Sequence, residues 1–132
     1  MRVLRLGHVN LSVPDLAAAR AFYGDLLGLE PAPRPADAGV RPGCWFRLGE
    51  QELHVSEEPG ADGSSSRRHV ALEVDDLAAA RARLLAAGLT LEEGRPLPGL
   101  ARFFARDPGG NRLELYQVST SAAPPPPPAP AP

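Results

Sequence analysis

Lysine is absent from this 132-residue chain; all fourteen of its basic residues are arginine, and the formal net charge is −2. A surplus of basic residues gathered on one face, which phosphate neutralisation along a nucleic acid requires, is missing. With a single cysteine, Cys44, no intrachain disulfide can form. Cys44 is expected to be a small buried residue, because no basic partner stands near it in sequence. No apolar run approaches the ~18 residues of a membrane span. The opening MRVLRLGHV lacks the long apolar stretch of a secretory signal. A reducing cytoplasm is the expected location, with neither nucleic acid nor membrane as partner. Apolar residues make up 43% of the chain and charged residues 23%, the ordinary balance of a soluble globular domain. A chain of this length can bury a core without disulfides or a structural metal.

The sequence contains one module twice. Gly7–Arg20, GHVNLSVPDLAAAR, matches Arg68–Arg81, RHVALEVDDLAAAR, sixty-one residues further on, at ten of fourteen positions. In the first copy Val9, Leu11 and Val13 alternate with His8, Asn10 and Ser12, the period-two pattern of a strand with one buried face. Asp15 then stands where a helix N-cap belongs, Leu16, Tyr23, Leu26 and Leu27 have helical spacing, and Gly28 closes the helix. The second copy repeats this with a strand Val70–Val74, a cap at Asp75 or Asp76, apolar Leu77, Leu84 and Leu85, and Gly88. Three short strands are predicted after each helix: Glu30–Arg34, Cys44–Leu48 and Glu52–Ser56, then Thr90–Glu93, Arg102–Arg106 and Arg112–Val118. Turn signals rich in Pro and Gly separate them. The polar stretch Glu57–Ser66 reads as a mobile, exposed linker. Residues 119–132, with five consecutive prolines, read as an extended disordered tail.

Strand–helix–strand–strand–strand, done twice, resembles the vicinal oxygen chelate superfamily of glyoxalases, bleomycin-resistance proteins and extradiol dioxygenases. The stretches that carry the likeness are GHVNLSVPDL (Gly7–Leu16), FYGDLLGL (Phe22–Leu29), RHVALEVDDL (Arg68–Leu77) and FARDPGGNRLELY (Phe104–Tyr116). The resemblance implies an α+β fold over residues 1–118, in which βαβββ modules 3–56 and 68–118 form a glyoxalase-like cup. It also implies a homodimer in many relatives, with the modules paired either within one chain or between two.

Carried over residue by residue, the family's metal-ligand positions fall on His8 in the first strand, His69 in its repeat and Glu114 in the last strand. The fourth position is open between Glu52, which matches an E-L pair, and His54, two residues on and so on the same face. Two imidazoles and a carboxylate suit Ni²⁺, Mn²⁺, Fe²⁺, Co²⁺ or Zn²⁺. The resemblance implies Lewis-acid chemistry on a small substrate, with Glu114 or Glu52 moving a proton beside two neighbouring oxygens. That is a lyase or isomerase of the glyoxalase type. The alternatives are a metal-free cup that sequesters a drug and an extradiol-type dioxygenase. Trp45, Arg47, Phe104 and Tyr116 share the faces expected to line the cup, where they are candidates for substrate contact.

Overall fold

The computed structural model describes residues 1–119. The predicted tail lies outside them, apart from Ser119.

Two four-stranded sheets are laid out alike. In the first module β1 (His8–Val13) is followed by α1 (Leu16–Arg20), β2 (Pro31–Ala32), β3 (Gly43–Leu48) and β4 (Gln51–Glu57), in spatial order β1-β4-β3-β2. In the second, β5 (His69–Glu73), α2 (Leu77–Ala86), β6 (Glu92–Glu93), β7 (Leu100–Arg106) and β8 (Arg112–Val118) give β5-β8-β7-β6. The first and last strands of each module pair in parallel, which a crossover through the helix makes possible. The other pairings are antiparallel.

Local chemistry accounts for the helix ends. Asp15 and Asp76 adopt extended backbone and accept from the N–H groups of Ala18 and Ala79, at 3.0 and 2.9 Å, so one orphan donor of each first turn is satisfied. Of the two aspartates that could cap the second helix, it is therefore Asp76 that does so. Gly28 and Gly88 turn with φ +73° and +84°. α1 does not continue as a regular helix: Ala21–Leu26 widens into a π-helical stretch, with the Leu27 N–H donating to the Phe22 carbonyl at 2.9 Å. The consecutive residues Phe22 and Tyr23 are both buried there.

Each sheet has an apolar and a polar face. In β1 and β4 Val9 faces Leu53 and Leu11 faces Val55, while His8 faces Glu52 and Asn10 faces His54 on the other side. The apolar faces of both modules and their helices merge into one core around Val13, Phe22, Tyr23, Phe46, Leu53, Leu84, Phe103 and Leu113. Polar contacts join the modules where they meet. The Tyr23 hydroxyl donates to Asp107 at 2.6 Å, Asn111 Nδ2 to the Ser12 carbonyl at 2.9 Å, and Arg83 Nη2 to the Asp25 carbonyl at 2.9 Å.

The connection between modules differs from the mobile linker predicted. The Gly63 N–H donates to the Gly109 carbonyl at 2.8 Å, and Arg106 Nη1 donates to the carbonyls of Gly63, Ser66 and Gly110. Its polar composition reflects these backbone contacts to the β7–β8 turn. Gly110 adopts φ +76° at that junction, and a Cβ there would meet Ser64 N at 2.6 Å. Among the described residues no helix is long and apolar enough to cross a membrane.

Candidate active site

The candidate histidines lie beside β1 and β5, where the two modules meet. β1 and β5 belong to separate sheets, and the space beside them opens as two hollows. One, of about 510 Å³, is lined by Asn10, Ser12, Arg68, His69, Asn111 and Arg112. The other, of about 290 Å³, is lined by His8, Gln51, Glu52, His69 and Ala71. His8 and His69 thus share a hollow whose walls both come from one chain.

Strand register separates the two candidates that sequence leaves open for the fourth position. Within the first module His54 stands opposite Asn10 of β1 and Trp45 of β3. Within the second, Glu114 stands opposite Ala71 of β5 and Phe104 of β7. His54 is therefore the counterpart of Glu114, and Trp45 that of Phe104. Glu52, opposite His8, corresponds to Arg112, opposite His69. The E-L pair at Glu52 is a local pattern, whereas equivalence between the modules is set by long-range pairing.

On the first module's side three rings stack. His54 lies 3.9 Å from Trp45 at 3° and 4.1 Å from His8 at 15° between ring planes. His54 Nε2 and Glu52 Oε2 are 2.7 Å apart, a hydrogen bond in which the ring donates and the carboxylate accepts. Arg47, half exposed, meets Glu30 at 3.8 Å and, among the described residues, no other carboxylate.

On the second module's side Glu114 is buried with both oxygens directed at nitrogen. Oε1 accepts from Arg102 Nη1 at 3.1 Å, and Oε2 lies 3.1 Å from His69 Nε2. Tyr116 stands opposite Arg102 on the same face of β8 as Glu114. Phe104 forms the floor: His69 meets its ring edge-on at 5.5 Å, and the Arg112 guanidinium lies 3.6 Å from its centroid. Arg112 did not emerge from the sequence as a site residue. The signal that would have found it is the alternation that places it on the same face as Glu114 and Tyr116.

The donor chemistry suits a divalent ion. His69 Nδ1 lies 3.0 Å from the Arg67 carbonyl, which can only accept, so Nδ1 carries a hydrogen and Nε2 is the nitrogen turned to Glu114. Tying the second ring nitrogen in this way is the usual support of a ligating imidazole. Two ligands at right angles on an ion with ~2.1 Å bonds lie roughly 3 Å apart, close to the His69–Glu114 separation. Among the described residues, however, no three His, Cys, Asp or Glu side chains converge as a ready ligand group. His69–Glu114 and His8–His54 stand as two separate pairs, one in each module.

Cys44 lies on the core face of β3, and burial pushes its thiol pKa up against the opposing pull of Arg20 and Arg34. Those two arginines are basic neighbours that its local sequence did not reveal.

The profile of the Glyoxalase/Bleomycin resistance protein/Dioxygenase superfamily matches residues 5–115. An ethylmalonyl-CoA/methylmalonyl-CoA epimerase of Cereibacter sphaeroides is 34% identical over 134 residues, covering 86% of this chain and 98% of that protein. A trivalent organoarsenical cleaving enzyme of Thermomonospora curvata is 37% identical over 122 residues, 85% of this chain and 76% of that one. The chain spans about half, 48%, of the bovine mitochondrial methylmalonyl-CoA epimerase that it also matches. Among solved structures, a glyoxalase family protein from Bacillus anthracis superposes with a TM-score of 0.79 at 32% identity, covering 89% of this chain and 98% of that one.

Proposed function

The chain belongs to the glyoxalase/bleomycin resistance protein/dioxygenase superfamily, and we propose that within it the protein is a metal-dependent isomerase or lyase that moves a proton beside a carbonyl of a small substrate. The observation that carries this reading is the buried Glu114 carboxylate set against His69 Nε2, with the other nitrogen of that ring tied to the Arg67 carbonyl. His8, His69 and Glu114 would hold the ion. When bound, it supplies Lewis-acid polarisation of two neighbouring substrate oxygens. Glu52 takes the proton from the carbon beside the carbonyl, and His54, 2.7 Å away, shares it and returns it. The stack of Trp45, His54 and His8 fixes the imidazole planes, and Phe104 provides an apolar floor.

Two observations weigh between the relatives' activities. The epimerase likeness fits a carboxylate–imidazole pair made for proton transfer. A trivalent arsenical seeks soft thiolates, and the one thiol of this chain faces the core. A drug-sequestering cup is disfavoured because the Trp45 face that would stack on a ligand already covers His54.

The test is calorimetric titration of purified, chelator-treated protein with Mn²⁺, Co²⁺, Ni²⁺ and Zn²⁺, with Fe²⁺ under anaerobic conditions. His69→Ala and Glu114→Gln are titrated in parallel. Wild type should bind about one ion per chain and melt at a higher temperature with it; both variants should lose that ion while remaining folded. Incubation in deuterated water should then exchange the α-proton of methylmalonyl-CoA or of an α-oxoaldehyde hemithioacetal. Wild type that binds none of the ions would end the metalloenzyme reading.

A further inference from the structure

We propose that the hollow between α1 and the start of β3 binds a phosphate group, held by the guanidinium groups of Arg20 and Arg34. It has a volume of about 370 Å³ and shares no lining residue with the two hollows beside β1 and β5. None of the residues proposed to hold a metal takes part.

The duplicated module supplies an internal comparison. Arg20 ends α1, and the same position of the repeat, sixty-one residues on, is Arg81 of α2. Arg81 is neutralised and covered. Its two terminal nitrogens meet the Glu93 carboxylate at 2.6 and 2.9 Å, and its guanidinium lies 4.8 Å from the Phe103 ring centroid. Strand register shows what stands in place of these partners in the first module. Ala32 is opposite Trp45 as Glu92 is opposite Phe104, and Cys44 precedes Trp45 as Phe103 precedes Phe104. Continued by one residue, that register puts Pro33 at the place of Glu93 and Arg34 at the place of Gly94. The first module therefore lacks the carboxylate, carries a small thiol where the second has a phenyl ring, and adds a second guanidinium. An arginine that the second module neutralises internally borders an open hollow in the first.

Gly43 brings the two guanidinium groups together. Arg20 Nη2 donates to the Gly43 carbonyl at 3.2 Å, and Arg34 Nε lies 3.4 Å from the point where a Cβ on Gly43 would stand. The carbonyl oxygen and Cβ of one residue are about 3 Å apart, so the two nitrogens are separated by roughly 10 Å at most. Arg34 Nη2 donates to the Arg41 carbonyl at 2.9 Å. These carbonyls orient the guanidinium groups without neutralising them, and among the described residues neither arginine forms an ion pair. Asp25 also lines the hollow but pairs with neither, so the lining keeps a net positive charge. Burial raises the thiol pKa of Cys44 on the floor, and the charges of Arg20 and Arg34 both oppose that rise. Two cations at this spacing suit a group with nearly two negative charges and three accepting oxygens, which a phosphate offers near neutral pH and a carboxylate does not. The volume lies in the range of small-molecule sites, with room for an organic body beside the phosphate.

The experiment follows the fluorescence of Trp45, which lines the hollow and is the one tryptophan of the chain. The full chain is titrated at constant ionic strength with inorganic phosphate, glycerol phosphate and acetate, for wild type, Arg20→Gln, Arg34→Gln and Pro33→Glu, with thermal melts at each end point. Wild type should bind both phosphates saturably and melt at a higher temperature with them. Arg20→Gln and Arg34→Gln should each bind about ten-fold more weakly. Pro33→Glu installs the carboxylate that the second module uses and should abolish binding; should it not fold, the two Gln variants carry the test. Tighter binding of glycerol phosphate assigns the site to an organic phosphate and tighter binding of inorganic phosphate to the free ion, and both uphold it. Wild type without a saturable change in fluorescence or melting temperature would overturn the proposal, as would equal binding in all four proteins or acetate binding as tightly as phosphate.

Discussion

Replacing Tyr23 by Phe tests how the two modules are fastened. The Tyr23 hydroxyl is fully buried and donates at 2.6 Å to Oδ2 of Asp107, itself only 5% exposed. Three other donors reach this carboxylate: the backbone N–H groups of Gly109 and Asn111, each at 2.8 Å, and Asn111 Nδ2 at 2.9 Å. Removing the hydroxyl deletes one of four bonds to a buried anion and opens almost no cavity. A bond to a charged partner contributes about 1.5–3 kcal/mol, so a loss of about 2 kcal/mol is expected. With a urea slope of about 1–3 kcal/mol per molar, the midpoint should fall by roughly 1 M at pH 7. The pH dependence supplies a second check. Burial, and then the charge and hydrogen bond of Asp107, raise the Tyr23 phenol far above its ordinary value. Below a pH of about 10 the phenol is neutral in both folded and unfolded chains, and its contribution is complete. Above that, the unfolded chain releases the proton while the folded chain retains it, so this contribution falls by about 1.4 kcal/mol per pH unit. The stability gap between wild type and Tyr23→Phe should accordingly narrow between pH 10 and 11. A midpoint shift worth less than ~0.5 kcal/mol at pH 7, or a gap constant through the alkaline range, would show that the hydroxyl does not fasten the modules.

Glu52→Gln should retain the divalent ion and the fold but lose about 10²–10⁴-fold in turnover with little change in KM; steady-state kinetics beside metal analysis would check this, and metal loss would make Glu52 a ligand instead. Gly110→Ala forces a left-handed φ of +76° on a residue whose new Cβ would strike Ser64 N at 2.6 Å. Gly28→Ala has a similar φ, +73°, with open space around it. Gly28→Ala should cost ~1 kcal/mol and Gly110→Ala clearly more, and paired thermal melts would refute the argument if the two were equal.

The duplicated strand and cap were readable because they are local patterns. Alternation in His8–Val13 and Arg112–Val118 assigns His8 and Glu114 to polar faces without knowledge of any partner strand. The ends of the strands shift by a residue or two, and β2 and β6 shorten to two residues each. What was not readable depends on distant neighbours. Asp107 looks like a turn residue because its contacts to Gly109 and Asn111 are local, while Tyr23 lies 84 positions away. The Gly/Ser-rich connection looks mobile because composition does not show the carbonyls that Arg106 gathers. That His54, not Glu52, is the positional counterpart of Glu114 needed the register of β4 against β1 and β3.

That register also shows where the two copies have diverged. His8 and His69 are alike, and Trp45 and Phe104 are both aromatic, so scaffold and floor repeat. At two other equivalent positions the charge changes: Glu52 answers to Arg112 and His54 to Glu114. The first module thus presents a hydrogen-bonded carboxylate and imidazole, and the second a buried carboxylate paired with the Arg102 guanidinium. A symmetric cup would accept a ligand in two orientations related by its internal twofold. Opposite charge at equivalent places separates those orientations, because a charged group that meets Arg112 in one meets Glu52 in the other. Like charges a few ångströms apart in a half-closed cleft cost about 1–4 kcal/mol at the effective dielectric of a protein surface, enough to favour one orientation by ten-fold or more. On the proposed function, the Glu52–His54 pair on one side of the cleft would then meet a single carbon of the ligand.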